Sequence, residues 1–185
     1  MTGTRIRSFL VGSLTVGLIA FGSGGTYSAF FSRTTSNGNG FAAGTVRIRD
    51  NDAGGVLFNV SGVRPGDPAR RSCITVTYDG SLDADVRLYA TVSSTGVEQY
   101  LDLQVETGTS TSAFGDCSGF TPSSTIFNGT LSSYPTAWAS GIAEPGNPWT
   151  AGAAHSYRFT VSVQNDPAAQ GKTATTTFRW EARNR

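Results

Sequence analysis

From residue 45 onward the chain alternates apolar and polar residues with a period of two. Leu101, Leu103 and Val105 are separated by Asp102 and Gln104, and Val86, Leu88, Ala90 and Val92 by Arg87, Tyr89 and Thr91. Tyr157, Phe159, Val161 and Val163 alternate with Arg158, Thr160 and Ser162, and Ala174, Thr176, Phe178 and Trp180 with Thr175, Thr177 and Arg179. Successive strand residues point to opposite faces, so each run predicts a strand with one face buried and one in water. Shorter candidates cover residues 45–49, 56–60, 72–78 and 124–131. Turn chemistry separates them at Asn51-Asp52-Ala53-Gly54-Gly55, Pro65-Gly66-Asp67 and Asp79-Gly80. After the first segment no window repeats apolar residues at helical spacing for three turns, although residues 132–140 suit a helical turn. The Gly-, Ser- and Pro-rich stretch 108–150 reads as long loops with one or two strands. Many short strands, abundant Gly and Thr and regular turns predict an all-β fold, an antiparallel β-sandwich.

The start of the chain follows another pattern. Arg5 and Arg7 precede an apolar stretch, residues 9–21, and then Gly22-Ser23-Gly24-Gly25-Thr26-Tyr27-Ser28-Ala29-Phe30. A basic start, an apolar centre and a small residue before a polar segment read as an export signal. The apolar run is too short for the ~20 residues that a membrane-crossing helix needs. A cleaved signal is therefore expected, with the cut between Ala29 and Phe30 and membrane contact only during export. The chain divides into a signal peptide, 1–29, a flexible N-terminal segment, 30–44, and a single β-sandwich domain, 45–185.

Tyr27 is bulky where general signal peptidases prefer a small residue. The string Gly25-Thr26-Tyr27-Ser28-Ala29-Phe30-Phe31-Ser32 resembles the signal region of the TasA/camelysin family. The likeness runs through Thr34-Thr35-Ser36-Asn37 and Phe41-Ala42-Ala43-Gly44-Thr45-Val46. It resumes at Arg64-Pro65-Gly66-Asp67 and at Gly80-Ser81-Leu82-Asp83-Ala84-Asp85-Val86-Arg87-Leu88-Tyr89. The resemblance implies processing by a SipW-type signal peptidase, a jelly-roll-like sandwich and a secreted protein of the cell surface or extracellular matrix. TasA-like proteins form extracellular fibres in biofilm matrices, so it also implies a fibre subunit, with other matrix proteins as candidate partners.

Composition narrows the remaining choices. Without residues 1–29 about 156 residues remain, enough for one domain that buries ~70% of its unfolded-chain surface. That mature chain carries 12 basic against 13 acidic residues, interspersed. Nucleic acid is not an expected partner, because it needs a clustered basic surface. Cys73 and Cys117 are the only cysteines. An even pair in an exported chain without Cys-x-x-Cys spacing predicts a structural disulfide. Family members are often cysteine-free, so the resemblance makes this bridge a local addition.

The family name carries a metallopeptidase assignment, and the residues argue against it. A zinc peptidase normally needs three protein ligands and a general base, often as His-Glu-x-x-His. The only histidine, His155, stands beside no glutamate. No serine sits in a Gly-x-Ser-x-Gly turn. Asp102 and Glu106 share a strand with core residues, as on a solvated face, and Asp83 and Asp85 flank a strand start. The reading is no catalytic residue, no enzyme activity and no cofactor. Asp50 and Asp52, in Asp50-Asn51-Asp52-Ala53-Gly54-Gly55, form a weak calcium candidate that a hairpin turn explains equally well. The aromatics Phe120, Tyr134, Trp138 and Trp149 suit either sugar stacking or capping of the core.

Assembly is what remains. Edge strands of a sandwich present unpaired amides, and an extended segment from another chain can complete such a sheet. Phe30, Phe31 and Ser32, freed when the signal is removed, form the candidate donor strand. The expected function is an exported fibre subunit assembling by strand donation. The alternatives are a camelysin-like metallopeptidase and a monomeric adhesin or carbohydrate-binding module.

Overall fold

Alternating residues become strands, and the buried member of each pair is the apolar one. The computed structural model describes residues 44–55, 57–58, 64–110 and 112–185. Its strands are β1 (Ile48–Asp50), β2 (Arg70–Tyr78), β3 (Ala84–Ser94), β4 (Leu101–Thr109), β5 (Thr121–Thr130), β6 (Ile142–Ala143), β7 (Ala154–Val163) and β8 (Ala174–Asn184). Among the described residues the helical content is limited to short 3₁₀ turns, two of which, Leu131–Ser133 and Trp138–Ser140, fall where a helical turn is expected. The cleavage site at Ala29 and Phe30 and the candidate donor Phe30, Phe31 and Ser32 lie outside the described residues. Of the candidate strand 56–60 only Leu57 and Phe58 are described, and neither is in a strand.

The strands form two antiparallel sheets, a larger one in the order β1-β2-β7-β4-β5 and a smaller one in the order β6-β3-β8. Only β1–β2 and β4–β5 are sequence neighbours paired within one sheet. Every other connection between consecutive strands crosses from sheet to sheet, giving a jelly-roll-like sandwich. Between the sheets lie Ile74, Val76 and Tyr78 of β2, Val86, Leu88 and Ala90 of β3, Leu103 and Val105 of β4, and Tyr157 and Phe159 of β7. Each full burial of a side chain of this size is worth roughly 1.5–3 kcal/mol. Phe178 of β8 meets Phe159 with ring centroids 4.5 Å apart, and Trp180 meets Tyr157 at 5.1 Å, so β8 lies over β7.

The edges are managed unequally. β3 pairs with β8 along its whole length, from Ala84↔Asn184 to Ser94↔Ala174. Its other edge is wrapped by an irregular strap. Ala90 N donates to Pro135 O (2.9 Å), Glu144 N to Val86 O (3.0 Å) and Trp149 N to Ala84 O (2.8 Å). Asn147 imitates a strand with its side chain, its Oδ1 accepting from Val86 N (2.8 Å) and its Nδ2 donating to Val86 O (2.9 Å). β5 carries Pro122 and shows two register irregularities against β4, features that discourage pairing at an edge. β8 pairs only with β3 among the described residues, and its other edge has no strand beside it.

A second small cluster sits on the outer face of the larger sheet. Cys73 faces Arg158 in register, and Arg158 faces Glu106. Arg158 bonds Glu106 at 2.7 Å, and its guanidinium lies 5.0 Å from the centroid of the Phe120 ring. Cys117 bonds Cys73, with Cα atoms 5.2 Å apart, and Gly115 N donates to Cys73 O (2.8 Å). The disulfide thus fastens the β4–β5 loop over the sheet, with Phe120 as its lid. Replacing both Cys73 and Cys117 by Ser is expected to lower unfolding stability by about 2–4 kcal/mol. Denaturant titrations of both proteins check this, and an unchanged midpoint would mean that the loop stays down without the bridge.

Candidate functional site

One concavity follows from the unequal sheets. Among the described residues the space between the sheets is open beside β8, while Ile74 and Leu103 beneath it stay buried at 2% exposure. The result is a groove of about 1280 Å³, lined by Ile74, Leu103 and Val161 on one side and by Phe178 and Trp180 on the other. Residues 173–177, rich in threonine, form its wall along β8. Apolar floor beside an unpaired strand edge offers both things that an added strand needs, main-chain partners and pockets for alternate side chains.

Charge is distributed around the rim. Arg64, Arg70 and Lys172 border the groove, as do Asp50 and Asp52. The two carboxylates serve the turn. Asp52 Oδ1 accepts from Gly54 N (2.7 Å), and Asn51 Oδ1 accepts from Thr75 N (2.9 Å). Ala53 and Gly54 take positive φ, 50° and 84°, which the tight turn requires. Burial is the main cause that raises the Asp50 pKa above the usual carboxylate value, followed by the adjoining Asp52 carboxyl. The calcium candidate is therefore a pair of carboxyls engaged in turn hydrogen bonds, with no third acidic group beside them.

The aromatics proposed for sugar stacking separate. Tyr134, Trp149 and Phe120 are buried, and only Trp138 keeps partial exposure. Trp138 lies under two guanidiniums, Arg87 at 5.4 Å and Arg183 at 4.4 Å. Glu144 went unread in the sequence because a lone glutamate before Pro145-Gly146 looks like a solvated turn. It is buried at 3% exposure, and Tyr157 Oη donates to its Oε2 at 2.6 Å. Burial pushes its pKa up to about 7, and the Tyr157 bond pulls the other way. The apolar neighbours Ile142 and Ala143 are the only local hint of an inward-facing segment.

The family model for camelysin metallo-endopeptidase matches residues 7–104. The chain belongs to the camelysin family. The match runs from the N-terminal segment through β1, β2 and β3 into β4, and so covers both the β2 floor of the groove and the whole of β3. Membership points to a secreted or cell-surface protein of the TasA/camelysin type. A comparison with curated proteins gave no match. Among the described residues no helix is long and apolar enough to cross a membrane.

A metallo-endopeptidase implies a zinc site, and the donor set here does not fit one. Every histidine, cysteine, aspartate and glutamate of the sequence lies among the described residues. Both cysteines are used in the disulfide. His155 stacks on Trp149, ring centroids 4.4 Å apart and 13° from parallel, and Gly146 lies against its edge. No three His, Cys, Asp or Glu side chains are grouped to hold an ion. Burial lowers the His155 pKa, as befits an imidazole packed on an indole.

The groove rim gives a direct electrostatic test. Replacing Asp52 by Asn removes the neighbouring carboxyl and leaves the burial of Asp50, so Asp50 is expected to titrate lower than in the unmodified protein. NMR titration of the Asp50 side chain measures this. An unchanged midpoint would show that burial alone sets it.

Proposed function

We propose that this camelysin-family protein is an exported structural subunit that builds extracellular fibres by strand donation. Residues 30–43 of one copy enter the groove of the next and pair with the free edge of β8. The single observation that carries the reading is the apolar groove beside an unpaired edge strand of 11 residues.

Length and side-chain chemistry support this occupant. Extended at about 3.3 Å per residue, residues 30–43 reach ~45 Å, enough to run the length of β8. Thr34, Thr35 and Ser36 match the threonine-rich wall 173–177, where cross-strand hydroxyl pairs are favourable. Phe31 and Phe41, which share one face of an extended strand, supply the apolar side chains for the floor, and Phe30 faces the other way. The donor becomes free only after cleavage between Ala29 and Phe30 by a SipW-type signal peptidase, which keeps subunits monomeric before export. Other matrix proteins are candidate partners for starting or anchoring the fibre.

The family name favours a second reading, a metallopeptidase. Casein cleavage by the pure protein that a chelator abolishes would support it, and the donor set described above argues for no such activity.

Negative-stain electron microscopy tests the first reading. The chain beginning at Phe30 is expected to give filaments, and the same chain carrying extra residues ahead of Phe30 is not. Val161→Arg is expected to abolish filaments at an unchanged circular dichroism spectrum, because Val161 is only partly buried and lines the groove. Filaments from Val161→Arg, or from a chain lacking residues 30–40, would rule out this mode of assembly. Monodisperse particles from every form, together with binding of a sugar, would favour the adhesin reading.

A further inference from the structure

The strap over β3 depends on a carboxyl that water cannot easily reach. Residues 142–149 close the outer edge of β3 through Glu144 N, the Asn147 side chain and Trp149 N. The regular pairing beneath is short, only Arg87↔Ala143 and Leu88↔Ile142. Glu144 turns its side chain inward and reaches Tyr157 of β7, so the strap is tied across the core to the opposite sheet.

Around this carboxyl the hydrogen-bonding is incomplete. Glu144 Oε1 and the neighbouring Tyr134 Oη are buried without a partner. The titratable groups that face Glu144 are the hydroxyls of Tyr157, from β7, and Tyr134, from the turn after β5. β8 presents Trp180 on its inner face, with Tyr89 bonding Glu181 and Arg183 stacking on Trp138 away from the core. β3 presents Val86 and Leu88, and no arginine or lysine acts on the carboxyl. His155 is the nearby imidazole, stacked on Trp149 of the strap. A neutral carboxylic acid is tolerable in such a place, whereas a carboxylate held by one hydroxyl is costly to keep.

We propose that Glu144 is a proton-operated latch: neutral, it holds the strap 142–149 over the edge of β3, and on losing its proton to solvent it releases the strap and opens that edge. The protonated form is the one the closed strap favours. With the closed-state pKa near 7 against 4.5 for an exposed glutamate, the latch is fully closed below 4.5 and weakens as pH rises through 7. In the open form the amides and carbonyls of Ala84, Val86 and Leu88 become available to another strand. The edge that the latch closes and the edge beside the groove are opposite edges of the same sheet.

Hydrogen exchange of the mature chain, followed by mass spectrometry of peptides covering residues 84–90 and 142–149, tests the latch. After correction for intrinsic exchange, strap opening is expected to rise about tenfold per pH unit between the two pKa values and level off above them. Glu144→Gln keeps an acceptor for Tyr157 and cannot ionise, so its opening is expected to be flat over that range while His155 is unchanged. Tyr157→Phe removes the one bond that steadies the carboxylate, so the rise is expected to continue to higher pH before it levels off. A rise in Glu144→Gln equal to that of the unmodified chain, or no rise in the unmodified chain, would overturn the proposal. So would a plateau at unchanged or lower pH in Tyr157→Phe.

Discussion

A smaller sheet of three strands facing a larger one of five cannot cover its whole inner face, and this mismatch shapes the rest of the molecule. Apolar side chains left open to water cost roughly 25 cal/mol for every Å² that burial would have removed. The protein meets part of that cost internally, with Trp149, Tyr134 and Glu144 folded in from loops to close one end of the sandwich. Along β8 it leaves a groove whose partly buried apolar lining includes Leu101, Val161 and Phe178. A surface of this kind is an aggregation hazard unless something specific occupies it.

The two edges of the smaller sheet embody two solutions to the same backbone problem. At β3 an irregular strap satisfies the amides and carbonyls from within the chain, even using the Asn147 side chain in place of a peptide. At β8 the outer edge has no strand beside it among the described residues. The strap ties its closure to the protonation of Glu144, whereas the β8 edge depends on main-chain pairing and apolar contact. In the proposed account, assembly responds to the free amino-terminal segment and the latch to pH.

Much of this was legible in the sequence wherever one face of a strand is buried and the other is wet. β3, β4, β7 and β8 alternate clearly because their inner residues enter the core, and their readings agree with the strands to within a few residues. β5 began earlier than expected, at Thr121, because Thr121-Pro122-Ser123 is exposed and carries no apolar alternation. β6 escaped because two residues are too few for periodicity and exist as a strand only through β3. Glu144 escaped for a related reason: it turns inward to meet Tyr157, far away in sequence, and its own neighbours do not announce this. The groove belongs to the same class, since no local pattern announces how far two sheets will overlap. Cysteine parity, by contrast, pointed to the Cys73–Cys117 bridge without any knowledge of the fold.

The central claim is that the groove beside β8 receives residues 30–43 of another copy, and cysteine cross-linking addresses it most directly. One chain carries Thr176→Cys, and a second carries a cysteine placed in turn at positions 32–36, both starting at Phe30. Mixed and oxidised, the two are predicted to give a covalent heterodimer for some of these positions and a ladder when both changes share one chain. A bond that forms only within a single chain, or none at any position, would contradict the account.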